Sequence, residues 1–327
     1  MICNFILLYI ELSPSAGGER RTYSDLWGRG RRNINKHIMK KLSRRQFLGK
    51  SAIGIGSAVI ASQLPLNLSA NVFSRTIKMP LGFQVWTVKD MLVKDFPGTL
   101  KIMADLGYQS VEMCSPPGYE SSGFGPLMKL KPKEMKNIIH DAGLICKSSH
   151  YGMDELRNHL DERIKFAIES GQTQMILSSF GLPKNATMSD WLRAADELNM
   201  MGVKTKKSGL QMGYHNHHME FEKINETLIY DALMNRFDPE YIKMQFQVAV
   251  ISIGYKASTY FTKYPGRFIS AHLADWSPVK KKSVPIGQGI VDWKEFFATI
   301  KTGGVKNIFV EMEMETFKES ATYIHSL

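Results

Sequence analysis

From Lys78 to the C-terminus, eight short apolar runs alternate with eight segments of helical character, and this alternation sets the fold. The runs are 81–87, 109–114, 144–150, 173–179, 210–216, 242–248, 268–273 and 307–313. Between and after them lie helical stretches at about 95–106, 131–142, 154–170, 188–208, 225–236, 257–264, 292–302 and 317–326. Continuous apolar runs are what parallel strands covered by helices on their outer face require. Gly107, Gly143, Gly171, Gly209 and Gly303-Gly304 follow five of the helices, where a left-handed residue ends the helix. Pro132 and Asp292 suit helix starts. Eight strand–helix units in about 250 residues match a single (β/α)8 TIM barrel. The rival, a doubly wound open sheet, lacks the Gly-x-Gly-x-x-Gly turn after an early strand. The Pro/Gly/Ser-rich stretch 115–126 reads as a long loop over the face where barrels carry their chemistry.

The chain has 327 residues and a formal net charge of +11, which alone would point to a nucleic-acid or membrane-surface partner. Residues 1–70 hold eleven Lys/Arg and three acids, so the remainder carries only +3 and gives no electrostatic footprint for nucleic acid. In that front segment, Ser43-Arg44-Arg45-Gln46-Phe47-Leu48 precedes a small apolar run, Ala52 to Ala61, and then Leu68-Ser69-Ala70. Basic region, short apolar region and small-residue cleavage site occur in order, and the arginine pair followed by Phe-Leu resembles a twin-arginine export signal. The apolar run is short and rich in Gly and Ser for a stable membrane span. The expected organisation is a non-native or disordered extension at 1–38, with Met39 as the natural start. A twin-arginine signal peptide at 39–70, a linker at 71–77 and the barrel at 78–327 follow. The expected location is periplasmic or otherwise exported, with the twin-arginine translocation machinery as a partner and a homo-oligomer left open. Three cysteines exclude a disulfide-stapled scaffold. Cys114 and Cys146, both in strands, read as buried free thiols, with a bridge between them as the alternative.

Catalytic groups of such a barrel stand at the C-terminal ends of its strands. Here those ends carry Glu112, Ser148-Ser149-His150, Tyr214-His215-Asn216-His217-His218, Gln245 and Gln247, His272-Leu273-Ala274-Asp275-Trp276, and Glu311. His215 and His217 share a strand face if the strand continues between them. Two such imidazoles can hold a divalent metal with carboxylates from neighbouring strands. Glu311, in an apolar strand, must be paired, protonated or metal-bound. Each lone strand-end histidine has a plain alternative as a hydrogen-bonded structural residue.

Taken together, Tyr214-His215-Asn216-His217-His218-Met219-Glu220-Phe221, Gly266-Arg267, His272-Leu273-Ala274-Asp275-Trp276, Pro285–Trp293 and Val310-Glu311 resemble the sugar phosphate isomerase/epimerase family, the xylose isomerase-like TIM barrels. The resemblance spans about residues 78–327. It implies a divalent metal (Mn, Co, Mg or Zn) held at the ends of strands 5 to 8, which falls on His215 (or His217), Gln247, His272 and Glu311. Family members usually have an Asp where Gln247 stands, and a neutral amide is a weaker ligand for hard cations. The implied chemistry is proton abstraction next to the carbonyl of a sugar or keto-sugar. Glu311 and His215 are the expected catalytic groups, with Glu112, His150 or His217 as a second base. Trp86, His217, Gln247, Asp275 and Trp276 are the expected substrate contacts. Only one glutamate of the epimerases' pair remains, so a lyase or hydratase on a 3-keto-glycoside fits about as well as an isomerase or epimerase. The alternative from another class is a non-catalytic sugar-binding barrel that has lost its metal site. A nuclease is disfavoured by the near-neutral body. The Gly287-Gln288-Gly289 turn resembles a phosphate cradle only superficially. With export in view, an unphosphorylated sugar is expected.

Overall fold

The computed structural model describes residues 79–327. The readings made for residues 1–78, including the export signal, lie outside the described residues. The eight expected strands are present as β1 (Leu81–Gln84), β2 (Ser110–Cys114), β3 (Ile145–Tyr151), β4 (Gln174–Leu177), β5 (Gln211–His215), β6 (Ile242–Gln247), β7 (Phe268–Leu273) and β8 (Asn307–Val310). They close into one barrel in sequence order, β8 pairing back on β1, and every pair is parallel. Parallel neighbours need a crossover, and helices supply it. These are α1 (Phe96–Asp105), α2 (Pro132–Asp141), α3 (Met153–Glu169), α4 (Met188–Lys207), α5 (Ile229–Arg236), α6 (Ala257–Lys263), α7 (Trp293–Gly303) and α8 (Phe317–His325).

Local chemistry explains the helix starts. The Asp95 carboxylate accepts from Gly98 N–H, Thr187 and Asp190 form a reciprocal box, and the Asp292 carboxylate accepts from Glu295 N–H. The barrel interior is crowded near β1. A Cβ on Gly82 would lie 2.4 Å from both Phe309 and Ser110, so only glycine fits there.

Four local readings change. The first strand stops at Gln84, and Val85–Val88 form a 3-10 turn that carries Trp86 out of the barrel wall. A short helix, Lys89–Lys94, precedes α1. The helix expected from 225 starts only at Ile229, because Lys223–Ile224 and Thr227–Leu228 pair as a small antiparallel hairpin. Its turn residues Asn225 and Glu226 have φ of 48° and 62°, as a two-residue turn between twisted strands requires. The strand expected over 307–313 ends at Val310, so Glu311 is the first residue beyond it.

The two barrel cysteines are free: Cys114 is buried and Cys146 half-buried. No helix among the described residues is long and apolar enough to cross a membrane.

Candidate active site

The barrel interior is polar toward the C-terminal mouth. Glu112, fully buried on β2, is the hub. One carboxylate oxygen accepts from the Ser148 hydroxyl (2.5 Å) and the Gln245 amide (2.8 Å). The other meets Nε2 of His272 at 2.5 Å and Nε2 of His150 at 3.2 Å. Gln245 in turn donates to Ser270 at 2.9 Å, and its carbonyl lies 2.7 Å from His150 Nε2. A carboxylate cut off from water must be satisfied in this way, because an unpaired buried charge is costly.

Above Glu112 sit the imidazoles. The rings of His150 and His272 stack at 5.1 Å, and His215 lies 5.0 and 4.5 Å from them. One ring nitrogen from each of the three falls within 4.8 Å of the others. His272 is held between two carboxylates, with Glu112 on Nε2 and Glu311 on Nδ1 at 2.9 Å. Burial works against charging His272, but Glu311 and Glu112 outweigh it and raise its pKa to about 9. Burial likewise pushes both carboxyls up, yet the histidines facing them, His272 above all for Glu311, hold both below the usual range. His215 is driven well below the ordinary histidine value by burial, then by His272, His217 and His150. These directions favour ionised Glu112 and Glu311 on either side of a charged His272, with His215 kept neutral.

The outer rim is more open. The side chain of Glu311 is 17% exposed and accepts from the Gln247 amide at 2.6 Å. The carbonyl of Gln247 accepts from Ala249 N–H, and its backbone N–H donates to Asn216. Both ends of this amide are engaged by the protein, so as placed it does not offer its carbonyl to an ion. β5 stops at His215, so His217 reaches the site from the loop beyond. Its backbone N–H donates to Glu220 at 2.7 Å, and its ring sits 4.8 Å from His215. Glu220 is fully buried and also accepts from the Tyr214 hydroxyl at 2.5 Å. Nδ1 of both His215 and His217 is buried without a hydrogen-bond partner.

Of the other expected residues, Trp86 is half-buried, stacked on Phe124 and edge-on to Tyr119, with the Lys89 ammonium 4.6 Å from its ring. Trp276 is half-buried in a hairpin, Asp275–Ser277 with Lys282–Val284, that rises after β7. Asp275, expected to contact substrate, has its carboxylate filled by the protein. It accepts from the backbone N–H groups of Trp276, Gly287, Gly289 and Val291 and from the Trp293 indole, at 2.9 to 3.2 Å. The Gly287-Gln288-Gly289 amides thus cradle an internal carboxylate. A Cβ on Gly289 would lie 2.0 Å from the Asp275 oxygen, which is why that position is glycine.

Sequence reasoning named Gln245 and Glu220 but gave neither a role. Gln245 sits two residues before Gln247 and so shares its strand face. Glu220 lay within the histidine-rich segment, but its partner Tyr214 is set by a turn that spacing does not reveal.

A divalent cation fits this donor set. The unpaired Nδ1 atoms, the clustered imidazoles and the net-negative carboxylates supply the ligands that such an ion takes.

Comparison with known proteins agrees with the architecture. Residues 100–327 match the family model of the xylose isomerase-like TIM barrel. A sugar phosphate isomerase/epimerase from Parabacteroides distasonis superposes with a TM-score of 0.64 at 25% identity, covering 77% of this chain and 96% of that one. A xylose isomerase-like TIM barrel protein from Mycobacterium smegmatis, solved in complex with magnesium, superposes with a TM-score of 0.55 at 13% identity, covering 76% of this chain and 96% of that one. An inosose dehydratase from Lacticaseibacillus casei is 26% identical over 151 residues, covering 40% of this chain. The chain spans about half the length of the curated relatives it matches.

Proposed function

The chain belongs to the xylose isomerase-like TIM barrel family, and from that premise we propose that it abstracts a proton next to the carbonyl of a sugar or keto-sugar, most simply as a lyase or dehydratase. The observation that carries this reading is the contrast between its two site carboxylates. Glu311 stands at the rim, partly exposed and held ionised by His272, as a general base must be. Glu112 lies beneath the imidazoles with no exposure and four polar partners, and its work is to orient His150 and His272. A single accessible carboxylate suits an elimination, in which one base takes the proton and a β-hydroxyl leaves. Epimerisation by two glutamates on opposite faces would need a second base. The inosose dehydratase relative supports this choice, and the isomerase/epimerase neighbour supports the carbonyl-sugar class.

His215, His272 and Glu311 would hold the divalent ion, and its contribution when bound is to polarise the substrate carbonyl. Oε2 of Glu311 already accepts from Gln247 and meets His272, so Oε1 takes the proton. Without an ion His272 is charged between Glu112 and Glu311; as a ligand it would be neutral, with Glu112 holding its Nε2–H and Nδ1 turned from Glu311 to the ion. His217, whose ring lies 4.8 Å from that of His215, would hand a proton to the departing hydroxyl. Trp86 and Trp276 give the sugar ring its apolar walls. The substrate is unphosphorylated in this reading, since the glycine-turn amides are already bound to Asp275. In this reading the reaction runs outside the cytoplasm, a location supported by the twin-arginine-like Arg44-Arg45 motif.

A second reading, a sugar-binding barrel without catalysis, is favoured by one observation: Gln247 stands in the place of the family's usual Asp and is tied to Glu311. A screen of free sugars, inososes and 3-keto-glycosides in heavy water separates the two. Deuterium entering the carbon next to the carbonyl, or loss of water from it, supports the enzyme. Binding without exchange across the whole panel supports the carbohydrate-binding protein and overturns the proposed activity.

A further inference from the structure

We infer that His150 of β3 supplies the metal ligand that β6 no longer offers, turning the site into a three-imidazole centre that prefers zinc-class ions to magnesium. The inference rests on the metal-binding reading above and deepens it. In a closed eight-stranded barrel the inward side chains form layers, each drawn from alternate strands. His150, His215 and His272 come from β3, β5 and β7, which are alternate strands, and their ring nitrogens gather within 4.8 Å. Gln247 comes from β6, outside that set, and its amide is closed off by Glu311 and Ala249. The position that would carry a hard oxygen ligand is thus occupied by a group turned to other work, and an imidazole stands at hand on the opposite wall.

His150 is also prepared for the role. It is buried, and its Nε2 lies 2.7 Å from the Gln245 carbonyl and 3.2 Å from the Glu112 carboxylate, so ring position and tilt are fixed before any ion arrives. Carboxylate and carbonyl partners behind a histidine are the usual outer support of a metal ligand. Imidazole donors suit zinc, copper, nickel and iron, whereas magnesium and manganese favour carboxylate, carbonyl and water. Three imidazoles with Glu311 or Glu112 make a nitrogen-rich set on the zinc side of that division.

The test measures binding and not turnover. Full chain, stripped of metal, is titrated calorimetrically with zinc and with magnesium. The cobalt(II)-loaded form is followed by its visible absorption, which reports the coordination number and geometry of the ion. His150→Ala and the bulkier, hydrogen-bonding His150→Gln are compared with wild type, with thermal unfolding as the check that each is folded. The expected result is about one zinc per chain, weak or undetectable magnesium binding, and a changed cobalt spectrum in both variants. Their zinc affinity should fall by more than the roughly 10–100-fold that loss of an outer partner costs. Zinc affinity and cobalt spectrum unchanged in folded His150 variants, with affinity lost instead in Gln247→Ala, would overturn the inference and leave the metal-binding reading standing. No uptake of any divalent ion by wild type would overturn both.

Discussion

Replacing Asp275 by asparagine tests whether this residue anchors the loop after β7 or faces the ligand. Its Oδ1 accepts two N–H groups, from Trp276 and Val291, and its Oδ2 accepts three, from Gly287, Gly289 and Trp293. The residue is 2% exposed, so water replaces little of this. Asparagine keeps the shape but must point its NH2 at one group of donors, and the smaller loss comes from turning it toward Trp276 and Val291. Two buried donors are then left facing a donor, at about 1–3 kcal/mol each, and the other three bonds lose their charge assistance, at about 1 kcal/mol each. Some of this is recovered if the loop opens to water. A net loss of about 4 kcal/mol is expected, a fall in Tm of the order of 10 °C for a domain of this size. Thermal and urea unfolding of wild type and Asp275→Asn measure it, with limited proteolysis reporting the loop at 285–292. A variant that melts within about 2 °C of wild type, yet no longer binds sugar or metal, would refute the anchoring argument.

Further outcomes follow from the same geometry. Gly289→Ala should be at least as damaging, since its Cβ falls 2.0 Å from the Asp275 oxygen, and an unchanged unfolding midpoint would contradict that placement. Thr187→Ala should cost about 1 kcal/mol by removing the cap of α4, read by urea unfolding. Thr187, ahead of Arg193, holds the Asp190 carboxyl down to about 2. A depressed carboxyl contributes stability above its unfolded value near 4 and loses it as pH falls toward 2, so the stability gap between wild type and Asp190→Asn should close across that range. Cys114 is buried and its thiol is pushed up by burial, so it should react with a thiol reagent only after denaturation; fast reaction of Cys114 in the native protein would contradict its placement. Gln247→Asp should raise affinity for magnesium and manganese relative to zinc, as competitive titration would show.

Much of the barrel was legible because each strand–helix unit carries its own signals: an apolar run, a helical period, a glycine stop. Those signals are local, and so were the successes. The Asn225–Glu226 turn was read as helix because glutamate seldom adopts positive φ and nothing nearby marks the hairpin. Asp275 was read as a substrate contact because it stands at a strand end. Its five donors come from the next residue and from others 12 to 18 positions later, a ring of contacts that no spacing rule exposes. His215, His272 and Glu311 were recognisable by resemblance to relatives. The depth of Glu112, the bridging of Gln245 and the meeting of His150 with His215 across the barrel depend on closure, which sets side chains from distant strands face to face.

The central claim is that Glu311 takes a proton from carbon next to a carbonyl. The direct measurement is the rate of deuterium wash-in or water loss for the best substrate of the screen, with wild type and Glu311→Gln matched in metal content and thermal stability. The account predicts a loss of about 10²–10⁴-fold in the variant with substrate still bound. A folded, metal-loaded Glu311→Gln that keeps the wild-type rate would contradict it.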